Sequence, residues 1–222
     1  MIVKTRGIVF RFTKFKETSI IVTIFTEVFG LQSYIVNGVR SKSSKNKIAL
    51  YQPLTLLNLV VYHRANANIE RIKEISCLHP YSTLTTDVKK STIAMFITEL
   101  LNKTVKDESH AKEIFEFLCT SLIEMDQLQQ GYENFHLMFM LKLCRYLGFG
   151  VYTVNEVVGG RTADAETEKL LAIFLKADYQ TPIAVSNVQR RMLLDLLVKF
   201  YAEHMENLGE IKSLQVLREV LM

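Results

Sequence analysis

Eight consecutive residues in the first third of the chain have the chemistry of a phosphate-binding loop. Residues 40–47 read Arg-Ser-Lys-Ser-Ser-Lys-Asn-Lys, which gives four cations, three hydroxyl groups and no acid. Arginine and lysine neutralise phosphate charge, while serine and asparagine donate hydrogen bonds to phosphate oxygens. The predicted phosphate ligands are Arg40, Lys42, Ser44, Lys45 and Lys47. A solvated loop without a ligand is the alternative interpretation of such an octet.

The residues before this loop interleave cations with aromatic rings. The cations are Arg6, Arg11, Lys14 and Lys16, and the rings are Phe10, Phe12, Phe15 and Tyr34. Single-stranded nucleic acid binds such surfaces because cations follow its backbone while rings stack on its bases, each for ~1 to 3 kcal/mol. We therefore add the four cations and Tyr34 to the candidate ligands. For a phenylalanine in a strand, a place in the core is the commoner alternative.

Basic residues concentrate in this same part of the chain. The 222 residues carry a net charge of +4, but residues 1–78 hold 12 Lys and Arg against 4 Asp and Glu, a balance of +8. The remaining residues have 15 basic against 19 acidic side chains, a balance of −4. The asymmetry indicates a basic module that meets a polyanion, joined to a second body with another role. Charges interrupt every apolar stretch, so we expect a soluble cytoplasmic protein without a membrane span.

Motifs for catalysis and for cofactor binding are absent from the sequence. It contains no Gly-x-x-x-x-Gly-Lys-Ser/Thr loop, no Gly-x-Gly-x-x-Gly after a strand and no His-Glu-x-x-His. The five histidines have no Cys, Asp or His at ligand or triad spacing. Cys77, Cys119 and Cys144 lie more than 20 residues apart, so we predict buried free thiols. We expect neither an enzyme nor a cofactor-binding protein.

Apolar periodicity divides the chain into two predicted domains. Short β-branched and aromatic runs at 3–12, 19–26, 31–36, 54–63 and 69–76 predict five strands, which fit a small barrel. After residue 80 the period changes to 3.6, which predicts helices. Gly148 is expected to end the third helix, and Ser186 with Gln189 has the spacing of a capping box. We predict an α+β protein with a barrel domain at 1–78 and an all-helical domain at 79–222.

Two cations lie on the otherwise apolar third helix. Lys142 and Arg145 are three positions apart, so they share one helix face. Cations near a helix C-terminus stabilise the helix without any ligand. The spacing favours this interpretation of Lys142 and Arg145. The functional alternative is a positive rim beside an apolar slot shaped by Leu141 and Leu147, which would suit an acidic peptide with an aromatic anchor.

Several short motifs follow one another in the first third of the chain. They are Gly7-Ile8-Val9, then Ser19 with Phe25-Thr26-Glu27 and Gly30, then Gly38-x-Arg40-Ser41-x-x-Ser44, and then Gln52-Pro53-Leu54. Their order and spacing resemble the RecO family of bacterial recombination mediators. Leu147-Gly148-Phe149 and the helices after it match that family only loosely.

The resemblance implies an OB-fold domain followed by a helical domain. It implies a nucleoid-associated protein that binds single- and double-stranded DNA, anneals complementary strands without ATP and helps to load recombinase on gapped DNA. The implied partners are RecR and the acidic, phenylalanine-ended tail of single-stranded-DNA-binding protein, for which Leu141, Lys142, Arg145 and Leu147 are the candidate docking residues. An RNA-binding or adaptor OB module that scaffolds a complex is the alternative function.

The chain departs from the family in one segment. Many RecO relatives carry a four-cysteine zinc site shortly after the Leu-Gly-Phe/Tyr segment, but residues 151–160 contain no cysteine. We therefore predict no zinc.

Overall fold

The first part of the chain forms a closed β-barrel. The structure is a computed structural model that describes residues 1–41, 48–64, 67–106, 110–160 and 163–221. Within these residues the strands are β1 (Ile2–Phe15), β2 (Ser19–Thr26), β3 (Gly30–Val36), β4 (Leu56–Tyr62) and β5 (Glu70–His79). They close in the order β1-β2-β3-β5-β4. A five-stranded barrel of this kind followed by helices confirms the predicted α+β class with an OB-fold domain.

The barrel interior explains the pattern of the second strand. Ile20, Val22 and Ile24 are fully buried inside the barrel, and Tyr34 of β3 joins them. Gly7 is required where β1 crosses this core, because a Cβ atom there would lie only 2.6 Å from Cγ2 of Ile24. Because Ile20, Val22 and Ile24 point into the barrel, the residues of β2 between them point outward.

One seam of the barrel is much shorter than the others. β1 pairs antiparallel with β2 and with β4, β2 pairs with β3, and β4 pairs with β5, each over seven or more residue pairs. β3 and β5 instead pair in parallel, at Tyr34 with Glu70 and at Ile35 with Arg71. Closure of the barrel thus depends on a two-pair contact.

The described residues after the barrel are helical. The helices are α1 (Val88–Thr104), α2 (Ala111–Gln127), α3 (Phe135–Tyr146), α4 (Val154–Val158), α5 (Ala165–Lys176), α6 (Asn187–His204) and α7 (Ser213–Leu221). The predicted capping box is present at the start of α6, where Ser186 and Gln189 exchange side-chain and backbone hydrogen bonds. The predicted stop after α3 is present too: Gly148 has φ 87°, and the N–H of Phe149 donates to the carbonyl of Cys144 at 3.2 Å.

The contacts divide the chain differently from the predicted boundary. One compact unit comprises residues 1–81 and 106–123, and the other comprises 82–105 and 124–222. The boundary predicted after residue 78 falls inside β5, which continues to His79. The part of α2 up to residue 123 belongs to the same unit as the barrel, although its apolar period resembles that of the other helices.

In the second unit a buried carboxylate fixes the chain before α1. Asp126 accepts hydrogen bonds from the backbone N–H groups of Ser82, Thr83 and Leu84 at 2.8 to 3.1 Å. Burial opposes ionisation of Asp126, but these hydrogen bonds outweigh it and lower its pKa. The ammonium group of Lys90, 2% exposed, donates to the carbonyl of Asp126 at 2.8 Å.

The cysteine prediction needs one correction. Cys119 and Cys144 are buried, but Cys77 is exposed on β5. No helix of the described residues is long and apolar enough to cross a membrane.

Candidate nucleic-acid interface

The outward faces of β1, β2 and β3 form a surface of polar and half-buried apolar side chains. Cross-strand neighbours lie on the same face of a sheet, so the register defines its rows. One row is Arg11, Thr23 and Ser33, and the next is Thr13, Ile21 and Ile35. Ile21 and Ile35 are only half-buried. This surface, which we call the β1–β3 face, offers apolar contact area beside a cation.

More cations lie where β1 turns into β2. Lys14 and Lys16 are exposed, and Lys16 has φ 52° in the turn, with its Nζ atom 5.5 Å from the centroid of the half-buried Phe15 ring. Arg40 is exposed and donates to the carbonyl of Lys16 at 3.3 Å, which holds it at the same turn. Within the described ranges no carboxylate forms an ion pair with Arg11, Lys14, Lys16 or Arg40.

Arg6 does not belong to this surface, which corrects the prediction. Its guanidinium donates to both carboxylate oxygens of Glu27, at 2.9 and 3.0 Å, and also pairs with Glu116 of α2. It stacks 4.9 Å from the Phe115 ring centroid. The hydrogen bonds from Arg6 lower the pKa of Glu27. Arg6 is therefore a structural cation whose charge is already neutralised.

Tyr34 is also excluded as a stacking platform. Its side chain is 0% exposed and lies in the barrel core opposite Val22. Burial, with the nearby charge of Glu70 as a smaller cause, raises its pKa. A base cannot reach the ring while the barrel is closed. The other predicted ligands, Lys42, Ser44, Lys45 and Lys47, lie outside the described residues.

The opposite side of the barrel is less suited to a polyanion. A groove of about 420 Å³ runs over β1, β4 and β5, and its charged lining residues are Lys4, Arg6, Glu27 and Glu74. Two acids are thus set against two cations, one of them the neutralised Arg6. In the described part of the barrel, the β1–β3 face and the turn at its end combine apolar area with cations that no carboxylate pairs.

Comparisons with known proteins identify the family. The chain matches two family models, described as recombination protein O N terminal over residues 1–81 and recombination protein O C terminal over residues 85–168. The DNA repair protein RecO of Flavobacterium psychrophilum is 34% identical over 237 residues, covering 99% of both chains. The DNA repair protein RecO of Phocaeicola vulgatus is 30% identical over 239 residues with the same coverage. The chain belongs to the RecO family. It is accordingly a DNA repair and recombination protein.

The zinc site of many RecO relatives does not fit this chain. The segment after Leu147-Gly148-Phe149 offers no thiol ligand, and no group of three or more His, Cys, Asp or Glu side chains in the described ranges is placed to hold a metal ion. The absence of zinc stays a prediction, which the metal content of the purified protein tests.

The RecO docking residues predicted on α3 are placed very differently from one another. Leu141 is 4% exposed, so it cannot line an open slot, which corrects its assignment. Lys142 donates to the carbonyl of Ala177 at 3.1 Å, and it therefore caps the end of α5. Burial, and secondarily the charge of Arg145, lower the pKa of Lys142.

Arg145 and Leu147 remain available at the end of α3. Arg145 is exposed, with its guanidinium 5.3 Å from the ring centroid of Tyr152, a residue that is itself 73% exposed. Leu147 is half-buried. The exposed Arg145 and the Tyr152 ring thus form a cation–ring pair, and the partly exposed Leu147 follows Arg145 closely in the chain, an arrangement that the spacing of Lys142 and Arg145 alone could not indicate.

The apolar part of the β1–β3 face could not be identified from the sequence. Ile21, Thr23, Ser33 and Ile35 were not selected because Ile20 to Phe25 is apolar in both registers of the strand. The pairing of Arg11 with Thr23 is the signal that identifies the outward register, and it is visible only once the strands are paired.

Proposed function

We propose that this RecO-family protein is a non-enzymatic mediator that binds single- and double-stranded DNA through the β1–β3 face. The observation that carries the proposal is the exposed Arg11 on the face of the half-buried Ile21 and Ile35, together with three exposed cations, Lys14, Lys16 and Arg40, around the β1–β2 turn at the end of that face. Cations bind the phosphate backbone of either DNA form, whereas apolar side chains contact bases only where they are unpaired. In the cell the protein acts on the nucleoid, annealing complementary strands without ATP and helping to load recombinase on gapped DNA.

The salt dependence of binding tests the DNA-binding face. Replacing Arg11 and Lys14 by alanine should weaken binding to DNA of any sequence and flatten the slope of log K against log salt by ~0.7 to 0.9 for each lost contact. Lys73→Ala is the matched control, because Lys73 is an exposed barrel cation that already pairs with Glu74 at 3.6 Å. An unchanged slope in the double variant would reject the β1–β3 face.

Strand annealing separates the proposal from the alternative of an RNA-binding or adaptor module. The purified protein should accelerate pairing of complementary DNA strands in the absence of ATP, and the Arg11→Ala, Lys14→Ala double variant should lose most of this activity. A protein that binds RNA more tightly than DNA and leaves the annealing rate unchanged would support the alternative.

We infer that the helical residues dock protein partners, RecR and the tail of single-stranded-DNA-binding protein. The acidic tail is matched by Arg145, and its terminal phenylalanine by the surface of Leu147 and Tyr152. Because Arg145 is exposed, Arg145→Ala should weaken tail binding severalfold, mainly by slowing association. Lys169→Ala removes an exposed cation of α5 and serves as the control in fluorescence anisotropy. Equal affinity of both variants and the wild type would place the tail elsewhere.

A further inference from the structure

A row of outward-facing side chains continues beyond the β1–β3 face onto the next two strands. Ile35 of β3 lies opposite Arg71 of β5, Arg71 lies opposite Tyr62 of β4, and Tyr62 lies opposite Ile2 of β1. Directly opposite residues share a face, so these side chains form one band around the outside of the barrel.

The burial of neighbouring residues confirms the direction of this band. Tyr34, Glu70 and Val61, each one position from a member of the band, are buried in the barrel. Tyr62 is 42% exposed, Ile2 is 55% exposed and Arg71 is exposed. The alternation therefore places the Tyr62 ring and the Arg71 guanidinium on the outer surface.

The chemistry of the band matches that of a single strand. It contains a partly exposed tyrosine ring and a guanidinium that no carboxylate of the described residues neutralises. None of its members, Thr13, Ile21, Ile35, Arg71, Tyr62 and Ile2, is acidic. Neighbouring strands lie ~4.8 Å apart, so the step from β3 over β5 to β4 lengthens the surface by about 10 Å.

We propose that Tyr62 and Arg71 form a second section of the single-strand path, in which the Tyr62 ring stacks on a base and Arg71 binds the adjoining phosphate. The proposal rests on the proposed DNA-binding function of the β1–β3 face, which it extends across β5 to β4. In a duplex the face of a base is covered by its neighbours. Tyr62 therefore discriminates in favour of single strands, whereas Arg71 contributes to both DNA forms.

Binding of an oligothymidylate and of a duplex of equal length tests the role of the ring. Tyr62→Ala should weaken single-strand binding on the order of tenfold and leave duplex binding unchanged. Tyr62→Phe keeps the ring and should bind both forms like the wild type. Arg71→Ala should flatten the single-strand salt slope by ~0.7.

A fluorescent variant gives a direct second measurement. The chain contains no tryptophan, so Tyr62→Trp introduces a single indole at an exposed position. Stacking of a base should quench its emission when oligothymidylate is added, and a duplex should leave it unchanged.

The outcomes separate this proposal from the function on which it rests. If Arg11→Ala with Lys14→Ala weakens DNA binding while Tyr62→Ala binds single strands like the wild type, the extension is wrong and the DNA-binding face stands. An unquenched indole in Tyr62→Trp would also overturn the extension and leave the exposed Tyr62 and Ile2 to a protein partner. If no variant alters DNA binding, the proposed function itself fails.

Discussion

At the scale of single residues, the burial of His136 has a consequence for stability. It lies in α3 and is 0% exposed, with both ring nitrogens buried. Burial, and secondarily the charge of Arg190, lower its pKa from 6.5 to about 3. Between pH 6.5 and about pH 3, the imidazole of His136 is therefore neutral in the folded protein and protonated in the unfolded chain.

This burial predicts a pH-dependent stability. The unfolded chain gains a proton at His136 below pH 6.5, while the folded protein does not until about pH 3. The contribution of His136 to stability is thus complete above pH 6.5. Between pH 6.5 and about pH 3 it should fall by about 1.4 kcal/mol per pH unit as the pH decreases. Denaturant unfolding at several pH values measures the slope.

His136→Leu should remove this contribution and flatten the stability profile between pH 6 and pH 4. His110→Gln is the control, because His110 is exposed. A His136→Leu profile parallel to that of the wild type would show that the imidazole titrates normally in the folded state.

The sequence predicted the exposure of the candidate ligands only in part. Arg11, Lys14, Lys16 and Arg40 are exposed as expected, but Arg6 differs from them only through Glu27 and Glu116, which lie 21 and 110 positions away. Such long-range pairs leave no local pattern. Tyr34 was wrongly predicted to be an accessible ring. The outward residues of β3 are themselves half-buried, so the pattern of apolar and polar residues does not separate its inward face from its outward face.

At the scale of elements, the end of α3 depends on the backbone of one residue. Gly148 has φ 87°, and a Cβ atom there would meet nothing within 4 Å. Its requirement for glycine is therefore conformational and not steric. Gly148→Ala should cost about 1 kcal/mol of stability, because a side chain disfavours the left-handed conformation.

Gly148→Asn is the matched comparison, since asparagine tolerates this conformation better than alanine does. Thermal unfolding should place the asparagine variant between the wild type and the alanine variant. An alanine variant as stable as the wild type would mean that α3 can continue by another turn.

Strands and long helices were predictable because their apolar residues repeat, whereas element ends were not. β4 begins at Leu56 and not at Leu54, because Leu54 has φ 64°, which is incompatible with a strand. α4 was missed, since five residues are too few to show a helical period. The assignment of residues 106–123 to the barrel unit depends on tertiary contacts that periodicity does not contain.

At the scale of the whole molecule, the protein should be independent of metal. A closed zinc site needs four ligands, and the three cysteines include the exposed Cys77 and the separately buried Cys119 and Cys144. Elemental analysis should find no stoichiometric zinc, and a chelator should leave the thermal midpoint unchanged. One zinc per chain, or a midpoint lowered by chelator, would contradict this.

The two-pair seam between β3 and β5 also affects how the barrel opens. Local unfolding begins where few hydrogen bonds and contacts must break, and this seam has only the pairs Tyr34–Glu70 and Ile35–Arg71. Backbone amides near it should exchange with deuterium by seam opening, faster than those between β1 and β2. An oligonucleotide that contacts Ile35 and Arg71 together would oppose this opening, so the amides of the seam should become protected first when single-stranded DNA is added.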